Sequence, residues 1–64
     1  MKVKTIRIQK GLTQAQVANR TGISVTSYQR IEYGVQNPSL KTAIRIAKVL
    51  NSSVEELWGE SRSD

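Results

Sequence analysis

Apolar residues recur along this chain every three or four positions, and glycine, proline or Asn51 separates the periodic segments. This is the spacing of amphipathic helices, whose apolar positions fall on one face. Five helices are predicted, over residues 1–10, 13–21, 24–33, 39–50 and 53–58. No segment alternates apolar and polar residues with the period of two that a half-buried strand requires. The pattern therefore predicts an all-α fold.

Small polar residues mark where these helices begin. Thr13 with Gln16, and likewise Ser53 with Glu56, fit a capping box, in which each residue satisfies a backbone amide of the other. Ser39 is expected to cap the fourth helix. The apolar stripes of the helices give the expected core, which comprises Val3, Ile6, Val17, Ala18, Tyr28, Ile31, Leu40, Ala43, Ile44, Ala47, Leu50, Val54, Leu57 and Trp58.

The second and third helices are joined by a turn of the length found in a helix-turn-helix. Ala18 is small enough for two helices to cross closely, and Gly22 supplies the left-handed turn between them. Placing residues about 100° apart around the third helix, which runs from a cap at Ser24, puts Tyr28 and Ile31 on its buried side. The opposite, outward face carries Val25, Thr26, Gln29, Arg30 and Tyr33.

This outward face suits a DNA groove better than bulk solvent. A solvated helix face would favour Glu and Lys, whereas this one is short, polar and uncharged apart from Arg30. Gln can pair with adenine, Arg can pair with guanine, and the methyl groups of Val and Thr can touch the thymine methyl. We therefore expect base contacts from Val25, Thr26, Gln29 and Arg30.

Composition narrows the functional classes. The 64 residues suffice for one small core, and we expect a single domain over residues 1–60 with a frayed tail at 61–64. The chain has no Cys and no His, which removes disulfides, thiolate metal sites and the commonest acid–base catalyst. An enzyme is not expected, and neither is a metal or another cofactor. No apolar run reaches the roughly 20 residues of a membrane span and no signal-peptide pattern opens the chain, so the expected location is cytoplasmic.

Charge is distributed unevenly along the chain. Residues 1–50 hold nine basic side chains and one acidic side chain, Glu32, for a net charge of +8, whereas residues 51–64 carry −3. A basic body with a pI near 10.1 suits a polyanion such as nucleic acid. The alternative explanation is a basic surface kept for solubility. Arg45 and Lys48 are interpreted as solvated rather than DNA-contacting.

Five short stretches give the chain a family resemblance. KGLTQ, GIS, RIEYG, NPSL and SVEELW occur in the order and spacing of the Cro/repressor-type helix-turn-helix family, also called the XRE family, and the similarity covers residues 3–58. The resemblance implies a five-helix, lambda-repressor-like domain that binds operator DNA as a dimer and represses transcription. It also implies a structural ion pair between Arg7 and Glu32. Thr21 and Ser52 depart from the family pattern, since aliphatic residues are more usual there.

Phosphate contacts are expected at both ends of the helix-turn-helix. Gln14 matches a family position that touches phosphate, and it lies at a helix N-terminus, where the amides and the dipole attract anions. Lys41 and the backbone amides of residues 34–37 form a candidate clamp for a second phosphate, although an ordinary loop with a solvated lysine fits equally well. The residues expected to contact phosphate are Gln14, Tyr33, Gln36, Asn37 and Lys41.

A homodimer is expected because one recognition helix reads too few base pairs to find a site among about 10⁶ or more competitors. The last helix is the predicted interface, because Val54, Leu57 and Trp58 share one of its sides and aromatic residues are enriched at interface centres. The sequence leaves an alternative open, in which the same fold serves as an antitoxin or as a module that binds only protein. A protein regulator of unknown identity is therefore a further candidate partner, beside double-stranded operator DNA and a second copy.

Overall fold

The computed structural model describes residues 1–59, which fold into five helices. These are α1 (Val3–Gln9), α2 (Gln14–Thr21), α3 (Val25–Glu32), α4 (Leu40–Val49) and α5 (Val54–Trp58). No strand occurs within this described part of the chain. Glu60 and the tail predicted at 61–64 lie outside the described residues. The predicted all-α architecture of five helices is confirmed.

The helices are shorter than predicted because their capping residues lie just outside them. Ser24 and Ser39 have extended backbone, and their hydroxyls accept the amides of Ser27 and Thr42 at 3.1 and 3.2 Å. The longest helix, α4, has ten residues. None of the helices described here is long and apolar enough to cross a membrane.

Of the two predicted capping boxes, one is complete and one is half formed. The Thr13 hydroxyl accepts the Gln16 amide at 3.0 Å, and the Gln16 side chain accepts the Thr13 amide at 2.9 Å. At α5, the Ser53 hydroxyl accepts the Glu56 amide at 3.0 Å. The Glu56 carboxylate, however, accepts the neighbouring Ser52 hydroxyl at 2.6 Å instead of the Ser53 amide. The prediction of a full box at Ser53 was therefore wrong, because Ser52 supplies a competing donor.

All five helices contribute to one core cluster. Its buried members are Val3, Ile6, Val17, Ala18, Tyr28, Ile31, Ile46, Ala47, Leu50 and Leu57. The prediction was wrong in α4, where Leu40 and Ile44 are 71% and 40% exposed and Ile46, which was omitted, is fully buried. At about 100° per residue the apolar arc of α4 spans roughly 220°, from Val49 to Ile44. Only one side of that arc faces the core, which leaves Leu40 and Ile44 at the surface.

The helix-turn-helix is organised around α2, which packs against both α3 and α4. Gly22 ends α2 with a φ of 85°, and its amide donates to the carbonyl of Ala18 at 2.9 Å. Thr21 is buried beside it, and its hydroxyl donates to the carbonyl of Val17 at 2.7 Å. This bond satisfies the polar atom, which explains how threonine is accommodated where an aliphatic residue is more usual.

The start of the chain is tied to its last helix. The amide of Lys2 donates to the carbonyl of Leu57 at 2.9 Å, and α5 packs against α1 and α4. These contacts close the core on the side away from α3, so that the outward face of α3 stays uncovered.

Candidate nucleic-acid interface

The outward face of α3 is accessible along the whole helix. Val25 in the first turn is 40% exposed, and Tyr33, just past the last turn, is 63% exposed. Thr26 and Arg30 are also exposed, whereas Gln29 is half-buried. The five residues predicted for this face therefore all reach the surface, with Gln29 the deepest of them.

The buried side of α3 is held by a network centred on Glu32. The Glu32 side chain is completely buried, and that of Arg7 is 11% exposed. Arg7 donates to both carboxylate oxygens, from Nε at 2.7 Å and from Nη2 at 3.2 Å. Tyr28 donates its hydroxyl at 2.7 Å, and Gln14 donates its Nε2 at 2.9 Å. One carboxylate thereby ties α1 and α2 to α3. The participation of Tyr28 and Gln14 in the ion pair was not predicted from the sequence.

This network sets the protonation states of its members. Burial opposes ionisation of Glu32, but the hydrogen bonds from Arg7, Gln14 and Tyr28 outweigh it and hold the pKa of that carboxyl below its usual value. The hydrogen bond to Glu32 raises the pKa of Arg7. Burial, followed by the hydrogen bond to Glu32, raises the pKa of Tyr28. At neutral pH the network therefore contains a carboxylate, a guanidinium and a neutral phenol.

Gln14 connects the buried network to the outward face. Gln29 donates its Nε2 to the Oε1 of Gln14 at 3.0 Å, while Gln14 donates its own Nε2 to Glu32. Because a primary amide has two N–H donors, each glutamine keeps one donor for a ligand, and Gln29 also keeps its oxygen. The amide of Gln29 is thus oriented by bonds that end on Glu32. A phosphate contact from the Gln14 side chain is restricted to its one remaining N–H.

The loop between α3 and α4 does not form the amide clamp that the sequence suggested. The amides of residues 34–36 donate to carbonyls at the end of α3, at 3.0 to 3.3 Å. The cause is Gly34, whose φ of 83° turns the chain back over the helix end. The side chains of Gln36, Asn37 and Lys41 are exposed. A phosphate contact from this loop therefore has to come from the Asn37 amide or from side chains.

An apolar groove of about 370 Å³ lies beside α5 and is lined by Asn37, Pro38, Leu40, Ala43, Val54 and Trp58. Of the three residues predicted for a dimer interface, Val54 and Trp58 are half-buried and line this groove. Leu57 is 1% exposed and belongs to the core, so its side chain is not available to a second copy. The sequence missed Leu40, the most exposed apolar side chain of the groove, by assigning it to the core.

The Trp58 indole has one unusual feature. Its Nε1 is buried, and no acceptor within residues 1–59 pairs with it. A buried donor without an acceptor costs about 1–3 kcal/mol. The wall of the apolar groove is therefore a weak point of the fold, and substitutions of Trp58 are poor probes of surface contacts.

An exposed helix face supported by a preceding helix, as α2 supports α3, is typical of a DNA-binding helix-turn-helix domain. Residues 3–57 match the family model HTH_3, described as Helix-turn-helix. The chain is also 33% identical to an uncharacterized HTH-type transcriptional regulator of Archaeoglobus fulgidus, over 92% of this chain and 96% of that protein. The chain therefore belongs to the Cro/repressor-type helix-turn-helix family, whose members are transcriptional regulators and not enzymes.

Two further similarities lie within the same family. The chain is 42% identical to the cryptic phage CTXphi transcriptional repressor RstR of Vibrio cholerae serotype O1, over 81% of this chain and 46% of that protein. The solved structure of the SinR protein/SinI protein complex matches with a TM-score of 0.86 and 28% identity, covering 97% of this chain and 61% of that chain. The chain spans about half the length of the RstR proteins that it matches.

Proposed function

We propose that this domain is a transcriptional repressor that binds a specific double-stranded DNA sequence as a homodimer, with α3 in the major groove. The observation that carries the proposal is the outward face of α3, which is accessible, lacks acidic side chains and is braced by the buried Glu32 network. The major groove is about 12 Å wide and admits one helix. Repression is supported by the similarity to RstR, a transcriptional repressor.

Base reading is assigned to four side chains of this face. Arg30 offers a guanidinium for the two acceptors of guanine, and Gln29 offers an oxygen and one N–H for the amino group and N7 of adenine. The hydrogen bond from Gln29 to Gln14 supports this role, since an oriented amide loses less side-chain entropy on binding. Val25 and Thr26, in the first turn, are placed to touch thymine methyl groups.

Phosphate contacts are assigned to residues around this face. Gln14 uses its remaining N–H at the start of α2, and Tyr33 uses its hydroxyl just past the end of α3. Gln36 and Asn37 in the loop, and Lys41 in the first turn of α4, contribute exposed side chains. Such contacts set the register and orientation of the protein on the duplex without reading its sequence.

The second copy is assigned to the apolar groove. In a two-fold interface the same patch of both copies meets, so Leu40 of each copy can enter the groove of the other. The 71% exposure of Leu40 supports this, because the residue contributes little to its own core. Such a small contact implies weak association in solution and stronger association on DNA.

Selection of bound sequences from random duplexes tests the whole proposal. The expected result is enrichment of two inverted half-sites whose centres lie about 34 Å apart, on one face of the duplex. Enrichment of a lone half-site would remove the homodimer from the proposal. Failure to enrich any sequence would overturn specific DNA reading itself.

A further inference from the structure

A second groove, of about 390 Å³, opens between the end of α2 and the second half of α4. It is lined by Arg20, Thr21, Gly22, Arg45, Lys48 and Val49, and we call it the basic groove. Three of these six residues are basic, none is acidic, and none comes from α3. The basic groove is therefore separate from the surface assigned to base reading.

Helix geometry explains why the three cations converge. Arg45 and Lys48 are three residues apart on α4 and therefore project from the same side of that helix. Arg20 approaches from the last turn of α2. Between them lies Gly22, and the Nη1 of Arg45 is 3.9 Å from the position that a Cβ on Gly22 would occupy. The Arg45 guanidinium therefore lies beside the glycine turn, at the mouth of the groove.

The part of the chain that the structure describes gives these cations no salt-bridge partner. Within residues 1–59 none of the three forms a salt bridge, and the ion pair present there joins Arg7 to Glu32. Three like charges around one concavity repel each other, and an anion placed between them would relieve that repulsion. Arg45 and Lys48 are exposed, as their interpretation as solvated side chains requires, and they share one groove with Arg20.

We propose that the basic groove docks an acidic segment of a partner protein. Arginine takes carboxylates through paired, charge-assisted hydrogen bonds. Thr21 and Val49 form an apolar floor that can accept the aliphatic parts of such a segment. A groove of this size between two helices exceeds what a single inorganic anion would fill, which favours a peptide.

The position of the groove allows docking while α3 is in DNA. Gln14 marks the side of α2 that faces α3, because its amide contacts Gln29 and Glu32. Arg20 lies six residues further on, about 120° around the helix from Gln14. The Arg20 side of the groove therefore faces away from α3, and a partner docked there can bind the DNA complex as well as the free protein. This inference goes beyond the proposed DNA-binding function and does not depend on it.

The test measures binding of a fluorescein-labelled peptide of alternating Glu and Ala by fluorescence anisotropy at near-physiological salt. The variant Arg20→Ala/Arg45→Ala removes two charges from the groove, and the control Lys4→Ala/Lys10→Ala removes two exposed charges from α1 and its end. The groove variant should bind at least about tenfold more weakly than wild type, and the control within about twofold. Equal losses in both variants would overturn the proposal, because they would show a general effect of net charge.

Folding is checked by circular dichroism. If the double groove variant loses its helical signal, Lys48→Gln is compared with Lys10→Gln instead, because each keeps most of the side-chain length. Lys48→Gln should then weaken peptide binding, whereas Lys10→Gln should not. Equal effects of the two substitutions would overturn the proposal.

Competition separates the other anions that could occupy the groove. A DNA duplex taken from the sequence selection should leave the peptide affinity unchanged, and displacement by DNA would overturn the proposal. Pyrophosphate binding to the groove more tightly than the peptide would overturn it too, by assigning the site to a small anion. The comparison of variants needs no DNA, so its result stands even if the proposed DNA-binding function fails.

Discussion

At the scale of single residues, Glu32 links stability to recognition. Removing a carboxylate completely from water costs several kcal/mol unless hydrogen bonds replace its hydration. Arg7, Tyr28 and Gln14 supply those bonds. Because Gln14 also accepts a hydrogen bond from Gln29, the orientation of the Gln29 amide depends on Glu32 as well. A change at Glu32 should therefore affect both the fold and the orientation of a side chain proposed to read a base.

Glu32→Gln should lower the free energy of unfolding by about 3–5 kcal/mol, because it leaves the largely buried guanidinium of Arg7 without a counter-charge. Urea titration followed by circular dichroism measures this loss. The matched control is Glu55→Gln, which neutralises an exposed carboxylate of α5 and should change stability by no more than about 0.5 kcal/mol. Similar midpoints for the two variants would mean that the buried pair contributes no more than a surface charge.

The lowered pKa of Glu32 predicts the sign of an acid dependence. A carboxyl whose folded-state pKa lies below its unfolded value stabilises the fold above the unfolded pKa, and this contribution is lost as pH falls through the folded pKa. The unfolding midpoint of the wild type should therefore fall on acidification more steeply than that of Glu32→Gln. Thermal melts across the acidic range measure both slopes, and parallel curves would contradict the assignment to Glu32.

At the scale of elements, the positions of the helices could be predicted from the sequence. The side of α4 that faces the core could not. Apolar spacing, together with caps and glycines at most of the helix ends, located all five helices from local chemistry alone. In α4, however, the apolar arc is wider than one contact, and periodicity cannot tell which side of it faces the core. The buried side carries Ala43 and Ala47, small residues that allow close packing around Ile46, whereas Leu40 and Ile44 lie on the other side. Packing against α2 and α5 determines which side of α4 is buried. The apolar pattern within α4 carries no information about those neighbouring helices.

The same limit applies to the candidate site. Angular spacing along α3 predicted its outward face, because that property belongs to one helix. The bond between Gln14 and Gln29 depends on how α2 crosses α3, and the basic groove depends on how α2 meets α4. The loop amides were misjudged for a related reason, since the left-handed turn at Gly34 directs them back onto α3. Contacts that depend on how two helices pack together could not be predicted from the spacing of residues along one helix.

Arg30→Ala should relax the preference for one base pair in each half-site, because the proposed bidentate contact with guanine is lost. The expected cost is roughly 1–3 kcal/mol for each lost contact. Sequence selection with the variant measures this as a position that no longer enriches one base. Lys10→Ala, an exposed cation outside α3, is the control and should leave the preferred sequence unchanged. Uniform weakening on all sequences by Arg30→Ala would instead make Arg30 a phosphate contact.

At the scale of the whole molecule, the +8 charge of residues 1–50 predicts a strong dependence of DNA binding on salt. If a dimer neutralises roughly 6 to 10 phosphates, affinity should fall about 10³- to 10⁵-fold between about 50 and 200 mM salt. Lys41→Ala should reduce the slope of log K against log[salt] without changing the preferred sequence, because a phosphate contact carries no base information. A nearly flat slope for the wild type would favour a protein partner over DNA.

The dimer is best tested at Leu40 rather than at Trp58. Trp58 packs against the core, so its truncation perturbs the fold, whereas Leu40 is 71% exposed and can be changed with little effect on the monomer. Leu40→Gln should abolish cooperative binding of two protomers to a full operator, because it places a polar group in the partner's apolar groove. Ile8→Gln is the control, since Ile8 is 56% exposed on α1 and lies outside the groove.

On a duplex with a single half-site, the wild type, Leu40→Gln and Ile8→Gln should bind equally, because the reading face of α3 is the same in all three. Titrations of the full operator, with the complexes sized by sedimentation, then isolate the contribution of the interface. Cooperative binding retained by Leu40→Gln would place the interface elsewhere on the surface. A complex of one protomer on the full operator with wild-type protein would contradict the dimer altogether, because the proposed readout requires two copies of α3 on one face of the duplex.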